Sequence, residues 1–127
     1  MGHTPTSLQI GTAAESLACD YLQHHGLALL ARNFRAPCGE LDLIMQDHDH
    51  MVFVEVRFRR NHRYGSGADS VHAAKQDKLI KTALYYLQQH PKLAKRPVRF
   101  DVVSISVKDN QPQIDWIKDA FQAKGSM

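Results

Sequence analysis

At 127 residues, with 43% hydrophobic and 23% charged content, the chain is sized for one globular domain and excludes both a disordered tail and two ordinary domains. A net charge of +3 and a pI near 9.0 agree with a polyanionic partner without requiring one. Cys19 and Cys38 lie far apart with no CxxC partner, which excludes a disulfide framework and a cysteine zinc site; with no signal-peptide pattern and no membrane-length apolar run, a cytoplasmic protein is expected.

Residues 1–7 read as a loose N-terminus. From 8 to 25, Ala14, Leu17, Ala18, Tyr21 and Leu22 recur at helical spacing, Gly26 is placed to end the helix, and Glu15 falls at the border of the apolar stripe. Residues 27–34 are a run of strand length whose Leu and Ala content leaves helix or strand open. Pro37 and Gly39 mark a turn. Two apolar-alternating runs follow, 39–45 and 51–60, around the polar stretch Gln46-Asp47-His48-Asp49-His50, which turns at 47–50 and predicts a β-hairpin. Residues 61–69, with Gly65 and Gly67, read as an exposed basic loop.

A second helix is expected from a cap at Asp69 or Ser70 to about His90, stopping before Pro91, with Ile80, Ala83, Leu84 and Leu87 as its core stripe and Lys75, Lys78 and Lys81 along one flank. Residues 91–97 form a basic connector, 98–107 the most β-branched run and hence a strand, and Asp109-Asn110 a turn into a last strand or short segment around 114–117. The tail, 118–127, frays, so the domain is expected over 8–117. The order is helix, three strands, helix, strand, with one strand appended, an α/β fold.

The hairpin carries the chemistry. Period-two alternation places Glu40, Asp42 and Ile44 on one face of its first strand and Phe53, Glu55, Arg57 and Arg59 on one face of the second. Asp is depleted from strands, and a half-buried carboxylate without a partner loses solvation worth several kcal/mol, roughly, so these acids need a cation. Glu15, Asp42 and Glu55 can converge into a cage for a hard divalent ion such as Mg²⁺ or Mn²⁺, or they can form salt bridges with Arg57 and Arg59; spacing alone allows both. Arg57, Arg59, Arg60, His62 and Arg63 run into the glycine-containing loop as a cluster suited to a phosphate backbone, or as an ordinary solvated loop. His48 and His50 read as turn residues rather than metal ligands, and neither cysteine has a base nearby in sequence.

Five segments in order, Gly11-Thr-Ala-Ala-Glu15-Ser-Leu-Ala18, Gly39-Glu40-Leu-Asp42-Leu-Ile44, Phe53-Val-Glu55-Val-Arg57-Phe-Arg59, Lys75-Gln-Asp-Lys78 and Arg99-Phe-Asp101-Val-Val103, resemble the YraN-type family of bacterial proteins. That family is similar to Holliday junction resolvases and the wider PD-(D/E)XK, restriction-endonuclease-like, nucleases. The resemblance covers about residues 8–117 and implies an αβββαβ nuclease core with a mixed central sheet. Position by position it implies Asp42 and Glu55 as metal-binding acids, Val56 as a carbonyl ligand, Glu15 as a third acid and Arg57 in place of the motif's lysine. It also implies Lys75 and Lys78 as phosphate contacts, Mg²⁺ or Mn²⁺ as cofactor, DNA, possibly branched, as the nucleic-acid partner, and a homodimer.

Arg57 departs from the pattern, because a guanidinium stays charged and cannot act as a general base, although it can clamp a phosphate. Three readings follow: metal-dependent hydrolysis of DNA phosphodiesters, nucleic-acid binding without catalysis, and a structural role in which the acids only pair with bases.

Overall fold

The computed structural model describes residues 7–59 and 71–123. The elements are α1 (Ser7–His24), β1 (Ala28–Ala36), β2 (Gly39–Asp47), β3 (His50–Arg59), α2 (Ala73–Gln89), β4 (Val98–Lys108) and β5 (Gln111–Phe121). All five strands form one mixed sheet in the order β1-β2-β3-β4-β5. The β1-β2-β3 meander is antiparallel, β4 runs parallel to β3, and β5 returns antiparallel to β4. A parallel neighbour needs a crossover connection, and α2 supplies it. No helix among the described residues is long and apolar enough to cross a membrane.

The helices cover opposite faces. Ala14, Ala18 and Leu22 of α1, one turn apart, bury against Leu43, Met45, Val52, Val54 and Val103. Leu79, Ala83, Tyr86 and Leu87 of α2 bury against Leu41, Ile44, Phe53, Phe100 and Val102. β4 is covered on both faces, which explains its unbroken apolar run. Gly26 ends α1 as expected, at φ +96, with the Leu27 amide donating to the Leu22 carbonyl and the Gly26 amide to Gln23. The Asp109-Asn110 turn takes positive φ at both residues, the conformation that matches the twist of a two-residue hairpin.

The segment at 27–34 resolves as strand β1. The last strand is a full-length partner of β4 reaching Phe121, longer than the expected strand or segment around 114–117, because Ile114 and Trp116 alternate with exposed Gln113 and Asp115 and pack on the α1 side while Ile117 and Phe121 pack on the α2 side. The core stripe of α2 is corrected too. Leu84 is 54% exposed, and Leu79 and Tyr86 take the core positions, since Tyr86 stacks edge-on against Phe34 and Phe53 and fixes the rotation of the helix. The cap position is held by His72, whose side chain makes no cap bond. The expected caps Asp69 and Ser70, the basic loop at 61–69, Arg60 and the chain ends at 1–6 and 124–127 lie outside the described residues.

One irregularity builds the site. Leu41 should share a face with Leu43, yet Leu41 packs under α2 with Ile44 while Leu43 packs under α1 with Met45. Strand β2 therefore turns over at Asp42, and the residue opposite it in β1, between the pairs Arg32↔Leu43 and Phe34↔Leu41, is Asn33 with φ +51. Asparagine tolerates that left-handed conformation better than most residues. As a result the β2-β3 ladder stops at Leu43↔Val54, and the strands part. Next to this opening Gly39 lies so close to α2 that a methyl group there would stand 2.8 Å from Thr82 Oγ1.

Candidate active site

Into the opening goes the carboxylate of Asp42. Its Oδ2 accepts the Val56 amide at 2.8 Å, so a side chain takes the place of the missing ladder partner. A residue's N–H and C=O point to the same edge of a strand, so the Val56 carbonyl is directed to the Asp42 side as well. Glu55 stands on the neighbouring position of β3, facing α2, with its side chain 7% exposed. Burial, together with the adjacent Glu55 and the more distant Glu15, pushes Asp42 up to about 8, against the opposing pull of the Val56 amide.

The first turn of α2 supplies the cation for Glu55. Lys75 Nζ lies 2.5 Å from Glu55 Oε2, reaching in from a side chain that is half exposed. Asp42, Glu55, Val56, His72, Lys75 and Lys78 line one open cavity of about 620 Å³ between β2, β3 and α2. Glu40 lines it as well, but its carboxylate is held by Arg35 at 2.8 Å.

The residues singled out in the sequence that lie among the described ones now have a place. Asp42, Glu55, Val56, Lys75 and Lys78 come together. Glu15 approaches from α1 on the other side of the sheet, within electrostatic reach of Asp42, but its own carboxylate faces Arg32 at 3.8 Å. Among the described residues no three His, Cys, Asp or Glu side chains converge closely enough to hold a metal ion. The available set is two carboxylates and a backbone carbonyl, all hard oxygen donors, and Mg²⁺ commonly takes one or two carboxylates with water and substrate phosphate completing its shell. Arg57 and Arg59 continue along β3 and do not line the cavity. His72 was not legible as a site residue in the sequence; only its position just before the lysine flank pointed to it.

A second acid centre went unassigned. Asp101, fully buried, accepts Arg99 Nε at 2.9 Å and Nη2 at 3.1 Å, Trp116 Nε1–H at 2.9 Å and the Asp119 amide at 2.9 Å. Arg99 Nη2 also reaches Asp47 at 3.1 Å. Burial opposes the Arg99 charge, but the bonds and charges of Asp101 and Asp47 more than offset it and hold its pKa above the ordinary value.

Fold and site together define an α/β protein with a five-stranded mixed sheet, whose strands β2 and β3 part around half-buried Asp42 and buried Glu55 beneath a lysine-bearing helix. The profile of the uncharacterised protein family UPF0102 matches residues 14–105, which takes in Glu15, Asp42, Glu55 and Lys75 and ends before β5. The UPF0102 protein of Pseudomonas aeruginosa is 49% identical over 115 residues, 89% of this chain and 92% of the relative. That of Nitrosococcus oceani is 46% identical over 114 residues, 90% and 92%, and that of Methylobacillus flagellatus 47% over 115 residues, 91% and 98%. The chain belongs to the UPF0102 family, the YraN-type family that its motifs resemble.

Proposed function

We propose that this chain is a Mg²⁺- or Mn²⁺-dependent endonuclease-like protein acting on DNA phosphodiesters, with branched DNA as the candidate substrate, on a restriction-endonuclease-like αβββαβ core. The carrying observation is the acid pair: half-buried Asp42 and buried Glu55 line one open cavity, where the Lys75 ammonium meets Glu55 and Lys78 and His72 line the wall beside them. A fold that needed these acids only for stability would pair both with bases, because an uncompensated buried charge is costly. Here Asp42 is met by the Val56 amide, and burial together with the adjacent Glu55 raises its pKa.

Asp42, Glu55 and the Val56 carbonyl would hold the ion, and Lys75 and Lys78 would meet the phosphate. A bound divalent ion supplies acidification of water and neutralisation of charge on the phosphate oxygens. The Asp42 carboxyl must give up its proton to serve, so ion affinity rises with pH. Arg57 keeps its charge throughout and so stabilises rather than accepts protons. The element order and the parallel β3-β4 pair with α2 as crossover support the core assignment.

The test is cleavage of branched, single-stranded and duplex DNA in Mg²⁺ and Mn²⁺, with Mn²⁺ titration of the same proteins. Ion-dependent cutting that disappears in Asp42→Ala and Glu55→Ala is expected. Ion binding unaffected by both substitutions sinks the reading. Arg57 favours a second reading, nucleic-acid binding without hydrolysis; salt-dependent DNA binding with no cutting, and no gain in Arg57→Lys, would select it.

A further inference from the structure

The cation expected beside the acid pair was Arg57, two residues along β3 from Glu55. The structure puts a different one there. Lys75 comes from the third residue of α2, and its ammonium reaches Glu55 inside the cavity while 51% of its side-chain surface stays exposed. Glu55, at 7%, has given up nearly all of its hydration, and Lys75 is the cation that meets it among the described residues. Lys78, one turn on, lines the same cavity, and among the described residues it has no ion pair with either acid.

Resting on the function proposed above, we infer that Lys75 is a mobile cation of this site: it occupies Glu55 when no divalent ion is present and turns to the substrate phosphate when one binds. Three features carry this. A lysine is a compact charge on a flexible four-carbon stem, so it exchanges partners without moving the helix. The stem lies at the exposed mouth of the cavity, where a bound strand would pass. A divalent ion and an ammonium cannot share a buried carboxylate without repulsion, so one must leave. Arg57, on β3, does not line the cavity.

Two consequences differ in sign from those of a purely structural ion pair. Removing Lys75 removes a competitor, so ion affinity must rise. Removing it must also weaken contact with phosphate, but only when the ion is present to release it.

The experiment compares the full chain with Lys75→Met, Lys75→Gln, Lys78→Met and Glu55→Gln. Lys75→Gln keeps a donor for Glu55 and so preserves the fold should the methionine variant fail. Mn²⁺ alone is titrated calorimetrically. Lys75→Met and Lys75→Gln should bind on the order of tenfold tighter, the effect of one nearby unit charge on a carboxylate, whereas Lys78→Met changes little and Glu55→Gln loses binding. Binding of a branched DNA is then followed against salt. With Ca²⁺ present the slope of log K against log salt should fall by about one in the Lys75 variants; without divalent ion it should match the wild-type slope.

If Glu55→Gln abolishes Mn²⁺ binding but both Lys75 variants bind as the wild type does or more weakly, the mobile-cation role is overturned while the acid-pair site stands. Equal slopes in Ca²⁺ overturn the phosphate contact. If neither wild type nor the Lys75 variants bind Mn²⁺, or if binding survives Glu55→Gln, the proposed function falls and this inference with it.

Discussion

Two carboxylate centres lie on opposite faces of one sheet, and they are compensated in opposite ways. Asp101, between Phe100 and Val102 of the α2-side core, points to the α1 side, where Arg99, Trp116 and the Asp119 amide give it four hydrogen bonds and a full counter-charge. Among the described residues the Asp42–Glu55 pair, on the side of α2, is met by one amide and one ammonium. Asp101 and Glu55 are both buried, so burial does not separate structural acids from acids available for chemistry. The separation lies in the counter-charge, because a saturated centre has nothing left to offer an incoming cation and an undersaturated one attracts it.

The contrast can be tested from its strongest consequence downward. Asp101→Ala leaves Arg99, 15% exposed, without its main partner and should cost about 3–5 kcal/mol in urea unfolding, the cost of breaking a buried pair. A loss below about 1 kcal/mol would mean that water or Asp47 replaces Asp101 and that the two centres are less different than drawn.

Asp42→Asn should have the reverse sign. The folded carboxyl titrates at about 8 against an ordinary 3.8, so between those values the folded chain keeps a proton that the unfolded chain has lost. The stability contributed by that proton is full at low pH and drains away as pH rises through the folded value. Asparagine keeps an acceptor for the Val56 amide and never ionises, so in metal-free buffer near pH 9 the variant should be more stable than wild type, on the order of 1–3 kcal/mol. The gain should shrink as pH falls and vanish only below the unfolded value of 3.8, which paired unfolding curves near pH 9 and pH 5 would begin to reveal as a smaller gain at the lower pH. A variant that is destabilised at both would show Asp42 to be a structural acid after all.

Smaller effects refine the picture. Trp116→Phe keeps the ring beside Tyr21 but removes one donor from Asp101, which should cost about 1–2 kcal/mol in the same unfolding assay. Glu15→Gln removes the weakest of the charges acting on Asp42. The midpoint of its titration, followed by carboxyl-carbon NMR, should move down by a fraction of a unit; no movement would detach α1 from the site altogether.

The element order was legible because the periodicities are strong: Ala14, Ala18 and Leu22 at helical spacing, the β-branched β4, and the glycine and proline punctuation between. Asp42 and Glu55 were legible because acids inside strands cost free energy that only a partner offsets. The identity of that partner was not. Lys75 is twenty residues from Glu55, and only the seating of α2 brings them together, whereas Arg57 is near in sequence and stays outside the cavity lining. The break at Asp42 was hidden as well, since it depends on Asn33 in another strand adopting a left-handed turn. Arg99 and Asp101 were visible as a motif, but their meaning required Trp116 and Asp119 from β5, expected only as a strand or short segment around 114–117.

The contact between Gly39 and Thr82 sets a dimension for all of this. With 2.8 Å between a would-be methyl and the hydroxyl, the start of β2 can rest on α2 only while it has no side chain. The same helix carries Lys75 and Lys78 towards the acids. The width of the cleft is therefore gauged by a missing carbon atom: Gly39→Ala would act as a shim, prising helix from strand and spoiling the reach of an ammonium to a carboxylate without touching any charged group.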